Sequence, residues 1–515
     1  MHWADVIAER LAEQGDSHVI ATGITPSGPI HVGNMREVLT ADLITRACED
    51  LGLSAEMIYI ADDADPLRKV YGFLDEAVYS EYVGQSLADI PAPDGEGSYA
   101  DHFLAPFFAT LDELGIERRV VRASEAYRDG RYAEGAQACI EKRDEIRAIL
   151  DSVRRDPLPE SWFPYNPADH HGSQHDVRVT GFEGPIVNWV ASDGTEGSSD
   201  VRKGEGKLPW RLDWAARWMW NGVTCEPFGK DHSAAGGSWD TGTRIVELLG
   251  GKAPLGVRYE WIMLKGRGAM SSSAGNTVSG RELLDLVPPE IMRFIISRNK
   301  PSKAFDFDPG AGLIATADEY ERLETRYHAE IKALGHHTLD SEMDRKTAQK
   351  ADLGRGFEFA QIDRSGRTQG DTGLNVSFGH LSLLCQVRAS DEAVLESLGK
   401  DDARLRDRIR RMRNWIASDF FPEESRIVLR ATSVDAVDRA LLLGVREFIS
   451  AVEWQASEIQ NGLPDVAKAL DLPVRDVFRV TYQSLLGKSR GPRVGTLLAA
   501  FDRRTVLDTL DSALD

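Results

Sequence analysis

Cysteine is scarce: Cys48, Cys139, Cys225 and Cys385 are the only four in 515 residues, far apart and without a CxxC pair. That spacing argues against a disulfide framework and suggests no structural zinc site. It suits a reducing cytoplasm, which is the expected location. No apolar run approaches the ~18 residues a membrane-spanning helix needs, so no membrane partner is expected. The N-terminal stretch MHWADVIAER is amphipathic and charged, unlike a signal peptide. Positive charge is in deficit, with 61 basic residues against 82 acidic ones and a net charge of -21, and only 15 of the basic residues are lysine. An acidic, lysine-poor surface keeps a protein hydrated and dispersed. It reads as suited to a high-salt cytoplasm, where the screening length falls to roughly 3 Å at 1 M salt. Acidity opposes nucleic-acid binding at low salt, whereas at molar salt the repulsion is screened. Internal repeats and low-complexity tracts are not evident.

What is present begins with a βαβ unit over residues 18–60. HVIATGI reads as a buried strand, VGNMREVLTADLITRACEDLG carries apolar residues at helical spacing with Gly52 at a C-cap position, and AEMIYI reads as a second strand. A strand, a glycine-rich turn and a helix start turn backbone N–H groups and the helix dipole toward an anion. Gly23, Gly28 and Gly33 match neither GxGxxG nor the Walker pattern. From about 85 to 205 the pattern is irregular, with a helical piece near 132–154 and the Trp/Pro/His-rich stretch SWFPYNPADHHGSQHD, and it reads as an insertion. Residues 208–300 return to mixed α/β. After KAFDFDPG the chain has helical periodicity almost throughout, so a separate helical domain is expected.

The turn itself is TPSGPIHVGN, Thr25 to Asn34. It puts His31 and Asn34 on one face of the first helical turn. Gly33 lets a planar ring lie against the backbone, and Pro26 and Pro29 stiffen the loop, so little order must be acquired on binding.

The string P-S-G-x-[IL]-H-[IV]-G-[NH] resembles the HIGH signature of class I aminoacyl-tRNA synthetases. The longer TGITPSGPIHVGNMREVLTAD, with LPWRLDWAARW (208–218), GVTCEPFGKDHSAAGGSWDTG (222–242) and MSSSAGN (270–276), is most similar to the class I lysine enzymes, and the resemblance covers essentially the whole chain. It implies a Rossmann-type parallel-sheet α/β catalytic domain, split over 1–85 and 206–310 by an insertion at 86–205. An all-α C-terminal domain at 311–515 would bind the tRNA anticodon. The implied reaction is lysine–tRNA ligation, with ATP, Mg²⁺ accompanying it, L-lysine and tRNA(Lys) as cofactors and partners, and no DNA. The lysine carboxylate attacks the α-phosphate and expels pyrophosphate; a ribose hydroxyl of the tRNA end then attacks the carbonyl and expels AMP. Alignment and charge neutralisation carry such a reaction, so no enzyme nucleophile is sought.

The same resemblance implies the site. His31 and Asn34 contact phosphates, with the ATP loop formed by Pro26, Ser27, Gly28, Pro29, Ile30, Val32 and Gly33. Gly229 and Asp231 match the element that meets the ATP ribose, where a carboxylate accepts from both vicinal hydroxyls. Met270, Ser271, Ser272, Ser273 and Ala274 stand for the KMSKS loop, but its lysine positions are Ala269 and Ser272, so either Lys265 and Arg267 supply the charge or Mg²⁺ carries more of the neutralisation. Glu37, one turn after Asn34, is the expected partner of the lysine ammonium. Trp210, His232 and Tyr259 would wall the side chain. Asp62, Asp63 and Asp65 resemble an acidic loop bordering the site, and read equally well as a solvated turn. His170, His171 and His175 could bind metal by spacing, yet the cysteine pairs of relatives are missing here and no structural metal is assigned. Arg-rich RLRDRIRRMRNW and GKSRGPRVGTL offer phosphate contacts, and each reads equally well as a solvated helix face. The alternatives are a glutamyl- or glutaminyl-tRNA synthetase, a tRNA-binding paralogue that has lost catalysis, and a small-molecule adenylyltransferase.

Overall fold

The computed structural model describes residues 1–266, 268–270, 277–334, 343–363 and 374–515. Its central layer is a five-stranded parallel sheet, in the order Leu255–Tyr259, Cys225–Gly229, Ser17–Ile24, Ser54–Ala61, Arg119–Arg122. Strands Ser17–Ile24 and Ser54–Ala61 pair in register from Ser17 with Ser54 to Ile24 with Ala61. Ile20, Ala21, Ile58 and Tyr59 are wholly buried, as a sheet covered on both faces requires. Gly23 is demanded by this pairing, because a Cβ there would stand 2.7 Å from the carbonyl oxygen of Ile60. The strand order reverses on either side of Ser17–Ile24, and ligands of such sheets bind at the strands' carboxyl ends beside that reversal.

The helix Val32–Asp50 follows the first strand and is buried along most of its length. It ends as the sequence predicts: Gly52 has φ 86°, a left-handed conformation that costs glycine little, while the N–H of Leu53 closes on Cys48 O. The helix Trp210–Trp220 presents Trp210, Trp214 and Trp218 at i, i+4 and i+8, one face of a helix. Between the second and fourth strands of the chain order lie the helices Tyr99–Glu113, Ala133–Glu141 and Arg143–Asp151 and a three-stranded antiparallel sheet, Arg178–Glu183, Ile186–Val190 and Glu196–Asp200. The edge strand Arg119–Arg122 comes from this same stretch and joins the parallel sheet.

The chain forms two compact units. The first holds residues 1–284, 292–307 and the described residues of 329–369, including the helix Arg345–Ala360. The second holds 285–291, 308–328 and 374–515 and is helical, with helices such as Ala311–Arg326, Ala403–Ala417, Ala436–Ala451 and Val474–Leu486. The fold is thus α/β with an all-α C-terminal part. Among the described residues no helix is long and apolar enough to cross a membrane.

Candidate active site

The loop between the first strand and its helix is pinned from three sides. Thr25 Oγ1 donates to Asp65 at 2.8 Å, Tyr99 Oη donates to Ser27 O at 2.8 Å, and Val32 N donates to Val278 O at 2.8 Å. The last contact, with a bridge between His31 and Ser279, ties the helix start to the segment that follows the serine-rich stretch. Asn34 turns its amide oxygen to His31 N at 3.2 Å, so the group it has left for a ligand is the NH₂ donor. Burial pushes the His31 imidazole down to about 4, so at neutral pH it is an uncharged donor and acceptor. Its Nδ1 is buried and has no hydrogen-bond partner among the described residues. The ring that lies against Gly33 is that of His31 itself, since a Cβ on Gly33 would come within 2.8 Å of it and within 3.6 Å of Met270 Cε. Met270 is thereby brought to the loop. Pro26, Gly28, Ile30 and Val32 are buried beneath it, Ser27 is half-buried and Pro29 is exposed. A cradle with an orphaned imidazole nitrogen and an amide NH₂ group at the positive end of a helix dipole suits the phosphates of a nucleotide.

Glu37 lies on the same helix, behind the loop. Its carboxylate accepts from Thr22 Oγ1 at 2.7 Å, Gly23 N at 3.1 Å and Tyr259 Oη at 2.7 Å. Burial raises its pKa, these three donors oppose the rise, and nearby Asp231 adds to it. Burial and Glu37 together hold the Tyr259 phenol well above its ordinary range. Among the described residues no lysine or arginine forms an ion pair with Glu37. Gly229 completes the junction: a Cβ there would stand 2.5 Å from Asp231 Oδ1 and 3.6 Å from Tyr259 Oη.

Trp210, Trp214 and His232 form a wall, with ring centroids 5.5 Å apart for Trp210–Trp214, 5.3 Å for Trp210–His232 and 5.5 Å for Trp214–His232. Burial lowers the His232 pKa, against the pull of Asp231, whose Oδ2 lies 3.4 Å from His232 Nε2. Behind the wall Glu226, 6% exposed, accepts from Trp214 Nε1 at 2.9 Å and from Trp218 Nε1.

The acidic loop is not a solvated turn. Asp62, Asp63 and Asp65 are buried. Asp65 and Asp213 both pair with Lys207, Asp62 and Asp213 both pair with Arg217, and Tyr127 Oη donates to Asp213 at 2.7 Å. Asp63 accepts from Arg122 Nε at 2.6 Å and from Ser124 N at 2.8 Å. Through Thr25 this network reaches the signature loop.

Thr22, Thr25, Lys207, Trp214 and Glu226 were not singled out by sequence reasoning. The i, i+4, i+8 tryptophans were the one signal available for this group, and Glu226 follows Cys225 in a strand without any motif of its own. Lys265 is exposed in the turn between the short strands Ile262–Leu264 and Gly268–Ala269. Arg267, Ser271, Ser272, Ser273 and Ala274 lie outside the described residues. Lys230, beside Asp231, pairs with Glu260 at 2.6 Å and lies over the Trp261 ring. His170 and His171 meet the exposed Asp193, which could complete a three-ligand metal set; His175 is not in that group.

In the helical unit the arginines of Ala403–Ala417 turn to carboxylates of their own unit: Arg404 to Glu324, Arg406 to Asp401, Arg408 to Glu321, Arg411 to Asp407 and Arg413 to Asp391. Lys488 donates to the carbonyls of Glu424 and Arg426, and Arg490 and Arg493 are exposed. A cavity of about 650 Å³ in this unit is lined by Leu383, Gln386, Ile427, Leu486, Lys488 and Arg490.

The profile of the family described as tRNA synthetases class I (K) matches residues 1–350. A Lysine--tRNA ligase of Methanosarcina barkeri is 39% identical over 547 residues, covering 100% of this chain and 98% of that protein. A Lysine--tRNA ligase of Thermoplasma volcanium is 37% identical, covering 100% of this chain and 99% of that protein. A solved glutamate-tRNA synthetase from Elizabethkingia anophelis aligns over 97% of this chain and 99% of that chain, at 15% identity and a TM-score of 0.47.

Proposed function

The chain belongs to the class I tRNA synthetases (K), and we propose that it is the lysine–tRNA ligase of a salty cytoplasm, joining L-lysine to tRNA(Lys) at the cost of ATP. The observation that carries the choice of amino acid is Glu37, a half-buried carboxylate with three donors and, among the described residues, no basic side chain paired to it. A glutamate or glutamine enzyme needs a donor or a cation where this anion stands. A lysine ammonium instead supplies the missing charge, while Trp210, His232 and Tyr259 flank its stem.

Aminoacyl-tRNA synthetases work on ATP with Mg²⁺, and Mg²⁺ neutralises phosphate charge when bound with the nucleotide. The chain's own part is alignment. His31, as a neutral imidazole, and the Asn34 NH₂ group donate to phosphate oxygens, and the helix N-terminus adds its dipole. Asp231 accepts from the ribose hydroxyls. An oxygen of the lysine carboxylate then forms its bond to the α-phosphorus as the bond to pyrophosphate breaks. In the second step a terminal ribose hydroxyl of tRNA attacks the carbonyl carbon and AMP leaves. In the helical unit, the cavity beside Lys488 and Arg490 fits an unstacked anticodon base with its phosphate.

The test is charging of total tRNA with lysine, glutamate and glutamine across a KCl series to several molar. Lysine alone is expected to be charged, best at high salt, and each of His31→Ala and Asn34→Ala to lose roughly 100-fold in kcat. Charging of glutamate, or tRNA binding without AMP release, would overturn the assignment; the second outcome would mark a paralogue lacking the cations that Ala269 and Ser272 replace.

A further inference from the structure

We infer that Glu226 is a positioning and specificity residue for the amino-acid substrate, a second anion that orients the aromatic wall and raises the preference of the pocket for a cationic side chain; this rests on the lysine reading above. Glu226 sits in the strand Cys225–Gly229, at the reversal of the sheet, and its two oxygens accept one indole N–H each, from Trp214 and Trp218. Trp214 is the middle ring of the wall, so the carboxylate sets the plane against which Trp210 and His232 lie. A buried carboxyl whose only purpose was to satisfy two indoles could be a neutral amide. An acid that ionises in place adds charge to a pocket already holding Glu37.

The groups facing it are few. Glu37, on the signature helix, disfavours its ionisation; Arg217, on the tryptophan helix, favours it but is engaged by Asp62 and Asp213. Among the described residues no basic side chain forms an ion pair with Glu226. Burial pushes its carboxyl up to about 7, with the indole donors holding it down. His232 and Asp231 border the wall, and His232 is held below its ordinary range. An arriving ammonium favours the ionised form, so lysine affinity rises as pH climbs through about 7.

The experiment measures KM and kcat for lysine from pH 6 to 8.5 in the parent, Glu226→Gln and Trp218→Phe, with glutamate as control. In the parent, KM is expected to fall as pH rises, with its inflection near the Glu226 value. In Glu226→Gln, KM is expected to rise roughly tenfold at pH 8, the size of about 1.4 kcal/mol, with kcat little changed and the inflection gone. Trp218→Phe removes one donor to the anion, so its inflection is expected to move to higher pH. A Glu226→Gln profile parallel to the parent would reduce Glu226 to an acceptor for two indoles and overturn the inference. If that variant does not fold, an unmoved inflection in Trp218→Phe overturns it. Failure of the parent to charge lysine at all would instead sink the reading of the enzyme and is seen before any variant is made.

Discussion

In the α/β unit two groups of carboxylates are handled in opposite ways. Asp62, Asp65 and Asp213 share Lys207 and Arg217 and form a network closed upon itself. Glu226 is buried and Glu37 half-buried, and among the described residues hydroxyl, backbone amide and indole donors meet them and no ion pair does. Burying a charge is costly unless it is paired. The first set therefore reads as scaffolding, fixing the signature loop through Thr25. The second set has no counter-charge among the described residues, so burial raises the pKa of both carboxyls; on the reading proposed above, a cationic substrate favours their ionised form. A missing counter-charge, rather than the charge itself, is thus what supports the proposal of a cation pocket at Glu37.

The contrast breaks most visibly at Lys207. Lys207→Met leaves Asp65 and Asp213 without their shared cation, and unfolding by urea is expected to show a loss of roughly 3–5 kcal/mol; a loss below 1 kcal/mol would mean that the network is not the closed scaffold described here. Glu226→Gln should do the reverse. The folded value of about 7 lies above the unfolded carboxyl's 4.5, so the native state holds the extra proton between those pH values. Stability from this group is full below about 4.5 and is lost as pH rises to about 7, by roughly 2–3 kcal/mol. The variant's stability should lack that decline relative to the parent, and equal slopes for the two proteins would remove Glu226 from the unbalanced set.

Glu37→Gln is expected to raise the KM for lysine by about 10- to 100-fold, the worth of a hydrogen bond to a charged group at roughly 1.5–3 kcal/mol, without loss of stability in urea. An unchanged KM would take Glu37 out of the pocket. The smallest effect is expected from Thr25→Val, which cuts the link between network and loop. Loss of one hydrogen bond, about 1 kcal/mol, should lower kcat of lysine-dependent ATP–pyrophosphate exchange several-fold and leave the lysine KM in place. A shift in KM alone would place Thr25 with the pocket.

Part of this was readable in the chain. TPSGPIHVGN after an apolar run defines a strand, a stiff turn and a helix start, and the i, i+3 spacing sets His31 beside Asn34 and Asn34 beside Glu37, because those relations are local. Gly52 ends that helix for an equally local reason. The acidic loop was misjudged in its solvated reading because ADDADP has the composition of a surface turn, while its counter-ions come from Lys207 and Arg217, some 150 residues away. Gly33 was expected to take a planar ring, and the ring it takes in the structure is its neighbour's. The arginines of RLRDRIRRMRNW invited a phosphate-binding face, yet most of them meet carboxylates supplied by other helices and loops of the same unit.

By itself the sequence determined the parallel α/β layer, the Pro/Gly-rich turn between its first strand and helix, and the helical C-terminal part, since hydrophobic period, turn chemistry and helix caps act within a few residues. Only the tertiary structure decided which carboxylates are neutralised and which are left bare. That depends on segments as far apart in the chain as Asp65 from Lys207 and Glu37 from Tyr259 meeting at the carboxyl ends of the central strands, and no local pattern records where a distant cation or hydroxyl comes to rest.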